Sequence, residues 1–168
     1  MNWDAWGAIG ELVGAAAVVL TLGYLAVQIR QSGKSSRQQS YHDLVTRRAD
    51  FFNKLVESEK VTAIFLGGVR GDSLNEIDAQ RFTSAMFNYV SHFQDVYLQR
   101  KSGLIEESVW LAERQFLAAA ISLPGFIAWW QMAKQYYLPE FIAEAAQIEP
   151  IPVVLMDQKT GDWALGAW

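Results

Sequence analysis

The chain has 168 residues, no cysteine and a net charge of −4, and 51% of its residues are hydrophobic. Because it lacks cysteine, it has no disulfide framework, and nothing in its composition argues for an oxidising compartment. An aromatic content of 13% excludes a disordered composition.

The first element along the chain is an apolar stretch from Trp6 to Ile29. It contains one charged residue, Glu11, and its last 18 residues, from Leu12 onward, carry no charge. Because roughly 20 apolar helical residues cross a hydrocarbon core of about 30 Å, we predict a transmembrane helix over residues 6–29. A cleaved signal peptide would begin with positive charge, and a soluble core helix would carry a polar stripe; this stretch shows neither feature.

The charges on either side of this stretch predict its orientation. Arg30, Lys34 and Arg37 follow it, whereas Asp4 is the only charged side chain before Glu11. The positive-inside rule then places the amino terminus outside and the rest of the chain in the cytoplasm. The three basic residues are predicted to contact anionic lipid headgroups.

Small residues recur at spacings of three and four along the predicted span. In lipid, such a face lets two helix backbones approach closely, and Gly10 and Gly14 form the small-x-x-x-small arrangement. With one span per chain, the simplest partner is another copy, so we expect a homo-oligomer. The predicted interface consists of Gly7, Gly10, Gly14, Ala17 and Thr21.

Glu11 lies on the same face of the predicted span. One interpretation places it near the outer interface, where its carboxylate reaches water by snorkelling. The other places a ring of Glu11 carboxylates inside an oligomer, where they line an ion-conducting pore or share protons.

The remaining chain is predicted to be all-α, with a tail of different character. The span continues into an amphipathic helix up to about residue 57, because Tyr41, Val45 and later apolar residues repeat at helical spacing. We therefore predict a transmembrane segment over 1–29, a helical cytoplasmic domain of about five helices over 30–149, and an irregular tail over 150–168. The tail contains an apolar run, Val153–Met156, and is a candidate strand or packing segment, with an exposed peptide ligand as the alternative. Further helices are predicted over 61–69, 75–102, 106–121, from Pro124 onward and from Pro139 to about 148.

A search for catalytic and metal-binding patterns finds little. The chain has two histidines and no His-Glu-x-x-His, Glu-x-x-His, Gly-x-Ser-x-Gly or phosphate-loop motif. His92 and Asp95 could form a ligand pair, but a histidine on an aromatic helix face is more often a hydrogen-bonded core residue. We predict no enzyme activity, no catalytic residues, no metal, no cofactor and no nucleic-acid partner.

Several segments resemble a family of small, uncharacterised bacterial membrane proteins. The resemblance rests on WGAIGELVGA at residues 6–15 and YLAVQIRQS at 24–32, and continues in FNYVSHFQD at 87–95. GLIEE and PGFIAWW, at 103–107 and 124–130, complete it. The family implies a single-span protein of the bacterial inner membrane with a helical cytoplasmic domain, and it brings no established activity.

Two functional classes follow from these patterns. The first is a homo-oligomeric membrane assembly that packs through the small-residue face and encloses a pore. The second is a membrane-anchored helical module that binds a cytoplasmic protein. The small-residue face with its acid favours the first class, because an anchor alone does not require it.

Overall fold

The computed structural model describes the backbone of residues 3–156 and 163–166, and the side chains of residues 10, 11 and 14–153. Six α-helices dominate this part of the chain, which confirms the helical class predicted from the sequence. The chain divides into two compact units, residues 1–39 and residues 40–168.

The first helix, α1, runs from Trp3 to Val56, so the predicted continuation of the helix beyond Ile29 is confirmed. Every side chain from Gly14 to Ile29 is exposed. The apolar residues are included, since Leu20 is 74% and Ile29 72% exposed. Residues 14–29 therefore present apolar side chains on all faces of the helix.

No single helix in the described part of the chain is both long and apolar enough to cross a membrane. The side chains of residues 6–9, 12 and 13 of the predicted span lie outside the described ones, and the run from 14 to 29 is shorter than the roughly 20 residues that a crossing takes. One bent pair, Glu107–Ile121 with Pro124–Tyr136, satisfies the length and composition criteria together at an angle of 103°. Both members of this pair supply buried core residues, such as Trp110 and Trp129.

Five helices follow α1, all in the second unit. Polar caps and prolines place several of their ends: Asn75 Oδ1 accepts a hydrogen bond from the Asp78 backbone N–H at 2.9 Å, and Pro124 occupies the first turn of its helix. The helices are α2 (Glu59–Arg70), α3 (Glu76–Lys101), α4 (Glu107–Ile121), α5 (Pro124–Ala133) and α6 (Pro139–Ala145), with a 3₁₀ turn at Lys134–Tyr136 between the last two.

The helix α2 ends at Arg70, close to the predicted end at residue 69. Gly67 and Gly68 lie inside the helix, and Gly71, with a φ of 83°, forms the left-handed cap. Gly68 is needed for packing, because a Cβ at this position would lie 2.2 Å from the Phe82 ring. Gly68 therefore marks a close contact between α2 and α3.

The second unit is built around one apolar core. α3 crosses it and supplies the largest set of buried residues, while α4, α5 and α6 cover its other sides. α1 contributes Leu44, which is 0% exposed. The fully buried side chains are Leu44, Met86, Val90, Phe93, Val96, Trp110, Leu117, Phe126 and Phe141.

The described part of the tail is a β-hairpin and not the irregular segment that was predicted. Strand β1 (Val153–Met156) pairs antiparallel with β2 (Trp163–Gly166), so the strand interpretation of the apolar run is confirmed. Upstream of β1, the Ile151 backbone N–H donates to the Ala118 carbonyl at 3.2 Å, which attaches the start of the tail to α4.

Candidate functional site

A cleft of about 800 Å³ opens in the second unit between the carboxy-terminal part of α1 and the helices α2, α3 and α4. Its volume lies in the range of small-molecule sites, which is roughly 300–1,000 Å³. Aromatic rings form most of its apolar wall: Phe51, Phe52, Phe65, Phe82, Tyr89, Phe93 and Phe116.

Long side chains of α1 form one side of this cleft. The Phe51 ring lies with its centroid 5.8 Å from Phe65 and 5.2 Å from Tyr89. Arg47 Nη1 donates to Asp95 Oδ2 at 2.7 Å. These contacts are made by long side chains, arginine and phenylalanine, and not by small residues. The α1 and α3 backbones therefore stay far enough apart to leave space between them.

A buried ionic cluster stabilises the same side of the cleft. Glu113 on α4 is 3% exposed, and its two carboxylate oxygens bind different partners. Arg48 donates to Oε1, and His92 Nε2 lies 3.2 Å from Oε2. Burial alone would raise the pKa of Glu113, but the His92 hydrogen bond and the Arg48 charge outweigh it and hold that pKa below its usual value.

His92 is a hydrogen-bonded core residue. An ionised carboxylate only accepts hydrogen bonds, so His92 Nε2 is the donor to Glu113. The opposite ring nitrogen, Nδ1, is buried and has no partner among the described residues. Asp95 binds Arg47, so each residue is paired across the helix bundle, in agreement with the favoured core interpretation of His92 and not with the His92–Asp95 ligand pair.

Tyr89 presents a fixed, neutral phenol at the cleft wall. Its hydroxyl donates to the Phe116 carbonyl at 2.9 Å, and its ring lies edge-on to Phe93 at 4.9 Å. Burial, reinforced by the nearby Glu113 charge, raises the pKa of Tyr89 above its usual range. The side chain therefore keeps its proton throughout the physiological pH range.

The polar lining of the cleft is mainly basic. It contains four cationic residues and one acid, Asp50. Arg47, Arg48 and Arg81 each pair with a carboxylate, the last with Asp78 at 3.1 Å. Lys54, the fourth cation, forms no ion pair among the described residues.

The predicted oligomer-interface residues lie in the first unit. Gly7 has its side-chain position outside the described residues. Gly10 and Gly14 have nothing within 4 Å of a Cβ position, so no close contact within the described chain requires a glycine there. The Thr21 hydroxyl donates to the Ala17 carbonyl at 2.8 Å, one turn earlier in the helix.

The predicted charged residues of the first unit are all exposed. Glu11 is exposed at the amino-terminal end of the described side chains. The basic residues Arg30, Lys34 and Arg37 are exposed further along the same helix. Each of these four side chains is thus accessible to solvent or to lipid.

The sequence interpretation missed the cleft and its ionic cluster. One signal was present: Arg48 occurs inside the apolar repeat that includes Val45, Phe52 and Leu55. A charged residue within a buried stripe requires a buried partner of opposite charge. Glu113, an acid on a helix whose neighbours Trp110 and Leu117 are buried, is that partner.

Comparisons of the chain with protein-family models, with curated proteins and with solved structures find no match. The resemblance to bacterial membrane proteins stays a prediction from the motifs. Among the described side chains, no three or more metal-ligand residues come together at one point. The functional interpretation therefore depends on the geometry of the cleft.

Proposed function

We propose that this chain is a membrane-anchored binding protein whose helical domain holds a ligand in the aromatic cleft between α1 and α3. The observation that supports the proposal best is the cleft itself. It combines a size of about 800 Å³ with an apolar wall of aromatic rings, and both features are usual in a ligand site.

Binding explains the polar groups of the cleft better than catalysis does. Glu113 is held ionised by Arg48 and His92, and both of its oxygens are occupied. Tyr89 donates its proton to a backbone carbonyl. These groups fix the walls of the cleft, and none is poised as a general base or as a nucleophile. We accordingly propose a protein without enzymatic activity of its own.

A bilayer anchor is supported by the first unit. The 18 uncharged residues from Leu12 to Ile29 are exposed wherever their side chains are described, and water would not favour such a surface. The Thr21 hydroxyl finds its acceptor within the same helix, as a hydroxyl in lipid must. Anchoring through residues 6–29 would place these side chains in hydrocarbon.

The anchor carries a proposed orientation and location. Arg30, Lys34 and Arg37 follow the span and favour a cytoplasmic position beside anionic headgroups. Together with the family resemblance, this supports a bacterial inner-membrane protein with its amino terminus outside. The cleft would then be exposed to cytoplasmic ligands.

Photolabelling tests the binding function directly. We expect a neutral long-chain diazirine ester, irradiated with the full-length chain in detergent micelles, to label peptides that contain Phe51, Phe65 or Tyr89. Ala85 lines the cleft, so Ala85→Trp should fill it and remove most of that labelling. Ala112→Trp, at an exposed position of α4 outside the lining, is the matched control and should label like the wild type.

The labelled positions decide between binding sites. Labels confined to residues 6–29 in every variant would reflect the micelle alone and would contradict a binding cleft. Loss of cleft labelling in Ala85→Trp, with retention in Ala112→Trp, is the result that supports it. A cytoplasmic protein is the alternative occupant of the cleft.

A second candidate function, homo-oligomerisation through the span, is favoured by the open glycine face. Gly10 and Gly14 have no neighbour within 4 Å of a Cβ position, so a partner helix could approach the backbone there. A closed ring would bring copies of Glu11 together and could conduct ions. An oligomer and a ligand-binding cleft are compatible in one protein.

Replacing Gly10 or Gly14 by leucine tests this interface. We expect either change to shift the native mass in detergent toward the monomer, because a leucine side chain separates the helix backbones. Gly33→Leu, with equally open surroundings but beyond the span, is the control. An unchanged assembly in Gly10→Leu and Gly14→Leu would remove the packing argument, and a wild-type monomer or dimer would exclude the pore.

A further inference from the structure

We propose that the ligand of the cleft is an uncharged amphiphile whose polar part carries hydroxyl groups, the chemistry of glycerol and sugar esters. This inference rests on the proposed function, because it names the class of ligand that the cleft would hold. Three observations support it: the charge balance of the lining, a row of neutral polar side chains on α3, and apolar side chains that remain accessible.

The charges at the cleft are balanced within the protein. Three of its four cations form ion pairs with carboxylates of α3 and α4, and these pairs are Arg47–Asp95, Arg48–Glu113 and Arg81–Asp78. Lys54 follows Asp50 by one helical turn on α1, so the fourth cation is offset as well. A charged ligand would give up hydration without meeting a free counter-charge, which favours an uncharged one.

Three neutral polar side chains of the lining form a row along α3. Gln80, Ser84 and Asn88 follow one another at intervals of four residues, so they lie on one face of the helix over about 12 Å. All three side chains are exposed, and none of them forms a side-chain hydrogen bond within the described part of the chain. Amide and hydroxyl groups both donate and accept hydrogen bonds, as a ligand hydroxyl does. The row is therefore suited to a ligand with several hydroxyl groups.

Apolar side chains from three helices remain accessible in the same cleft. Phe52 on α1 is 40% exposed, Val61 on α2 is 39% exposed and Phe116 on α4 is 38% exposed. A hydrocarbon part of the ligand would cover this surface and gain free energy on leaving water. Hydroxyl groups along α3 and hydrocarbon against the other helices together describe an amphiphile.

The test compares photoactivatable esters that share one diazirine acyl chain and differ in the alcohol. The full-length chain, in micelles of a zwitterionic detergent without hydroxyl groups, is titrated with the glycerol monoester and with the methyl ester, and labelling of the cleft peptides is quantified. We expect the glycerol ester to reach half-maximal labelling at a concentration about fivefold below that of the methyl ester, the gain from one or two net hydrogen bonds. The free acid and the corresponding long-chain amine should both label less than the glycerol ester.

Substitutions in the row connect this preference to its residues. Ser84→Ala/Asn88→Leu removes hydrogen-bonding groups from the lining and should bring the two esters to the same half-maximal concentration. Asn53→Leu, at an exposed position of α1 outside the lining, is the matched control and should retain the preference.

The outcomes separate this inference from the proposed function. Equal labelling by the two esters, or a preference that survives in Ser84→Ala/Asn88→Leu, would overturn recognition through hydroxyl groups while leaving a binding cleft in place. Stronger labelling by the acid or the amine than by the glycerol ester would overturn the uncharged ligand in the same way. Absence of cleft labelling by every probe would overturn both the inference and the proposed function.

Discussion

Gly125→Ala is expected to destabilise the helical domain more than the same change at Gly67 or Gly68. A Cβ at position 125 would lie 1.8 Å from the Gly68 carbonyl oxygen and 2.9 Å from the Gly71 nitrogen. Both neighbours are backbone atoms, so they cannot rotate away as a side chain would. We expect a loss of more than about 3 kcal/mol in the free energy of unfolding, because α5 would have to separate from α2.

Chemical denaturation of the full-length chain in micelles, followed by tryptophan fluorescence, measures this loss. Gly67→Ala is the matched control on α2, since its Cβ would meet only ordinary contacts at 3.5 Å. The free energy of unfolding of this control should be unchanged or rise by up to about 1 kcal/mol, because alanine has a higher helix propensity than glycine. Equal stabilities of Gly125→Ala and Gly67→Ala would contradict the described α2–α5 contact.

Arg48→Leu is expected to cost about 3 kcal/mol of stability, the second-largest effect. The substitution leaves Glu113 buried with His92 as its only remaining partner. Removing one member of a buried pair leaves the other as a buried charge whose desolvation cost is no longer compensated. Removing both members replaces the ion pair with an apolar contact. The double variant Arg48→Leu/Glu113→Leu should therefore be more stable than Arg48→Leu.

The acid dependence of stability provides an independent measurement of the same cluster. The pKa of Glu113 is lower in the folded than in the unfolded chain, so its stabilising contribution is complete above the ordinary glutamate pKa. That contribution is lost as the pH falls through the lower, folded pKa. Wild type should lose more stability on acidification than Glu113→Gln, and parallel pH profiles would show that Glu113 is not held ionised.

Local patterns predicted most of the helices because helix ends depend on nearby residues. Asn75 caps α3, Gly71 ends α2 and Pro124 begins α5, each through its own backbone geometry or side chain. The continuity of α1 beyond the apolar stretch followed from helical spacing and the absence of proline. These features need no knowledge of what lies across the fold.

The candidate site could not be predicted in the same way because its contacts join distant residues. Arg48 and Glu113 are 65 positions apart in the sequence, and Arg47 and Asp95 are 48 apart. Spacing along one helix does not say which acid lies opposite a given arginine. The Gly68–Gly125 contact is similar: nothing near Gly125 in the sequence indicated that the α2 backbone lies against it.

Attachment to a bilayer is the part of the proposed function that a single measurement, alkaline carbonate extraction of membranes, tests most directly. We expect the full-length chain to remain in the membrane pellet and to enter solution only with detergent, because residues 6–29 would cross the hydrocarbon core. Val19→Arg should weaken this retention, whereas Thr46→Arg, an exposed position of α1 outside the span, should preserve it. Release of the wild-type chain into the carbonate supernatant would contradict the anchor.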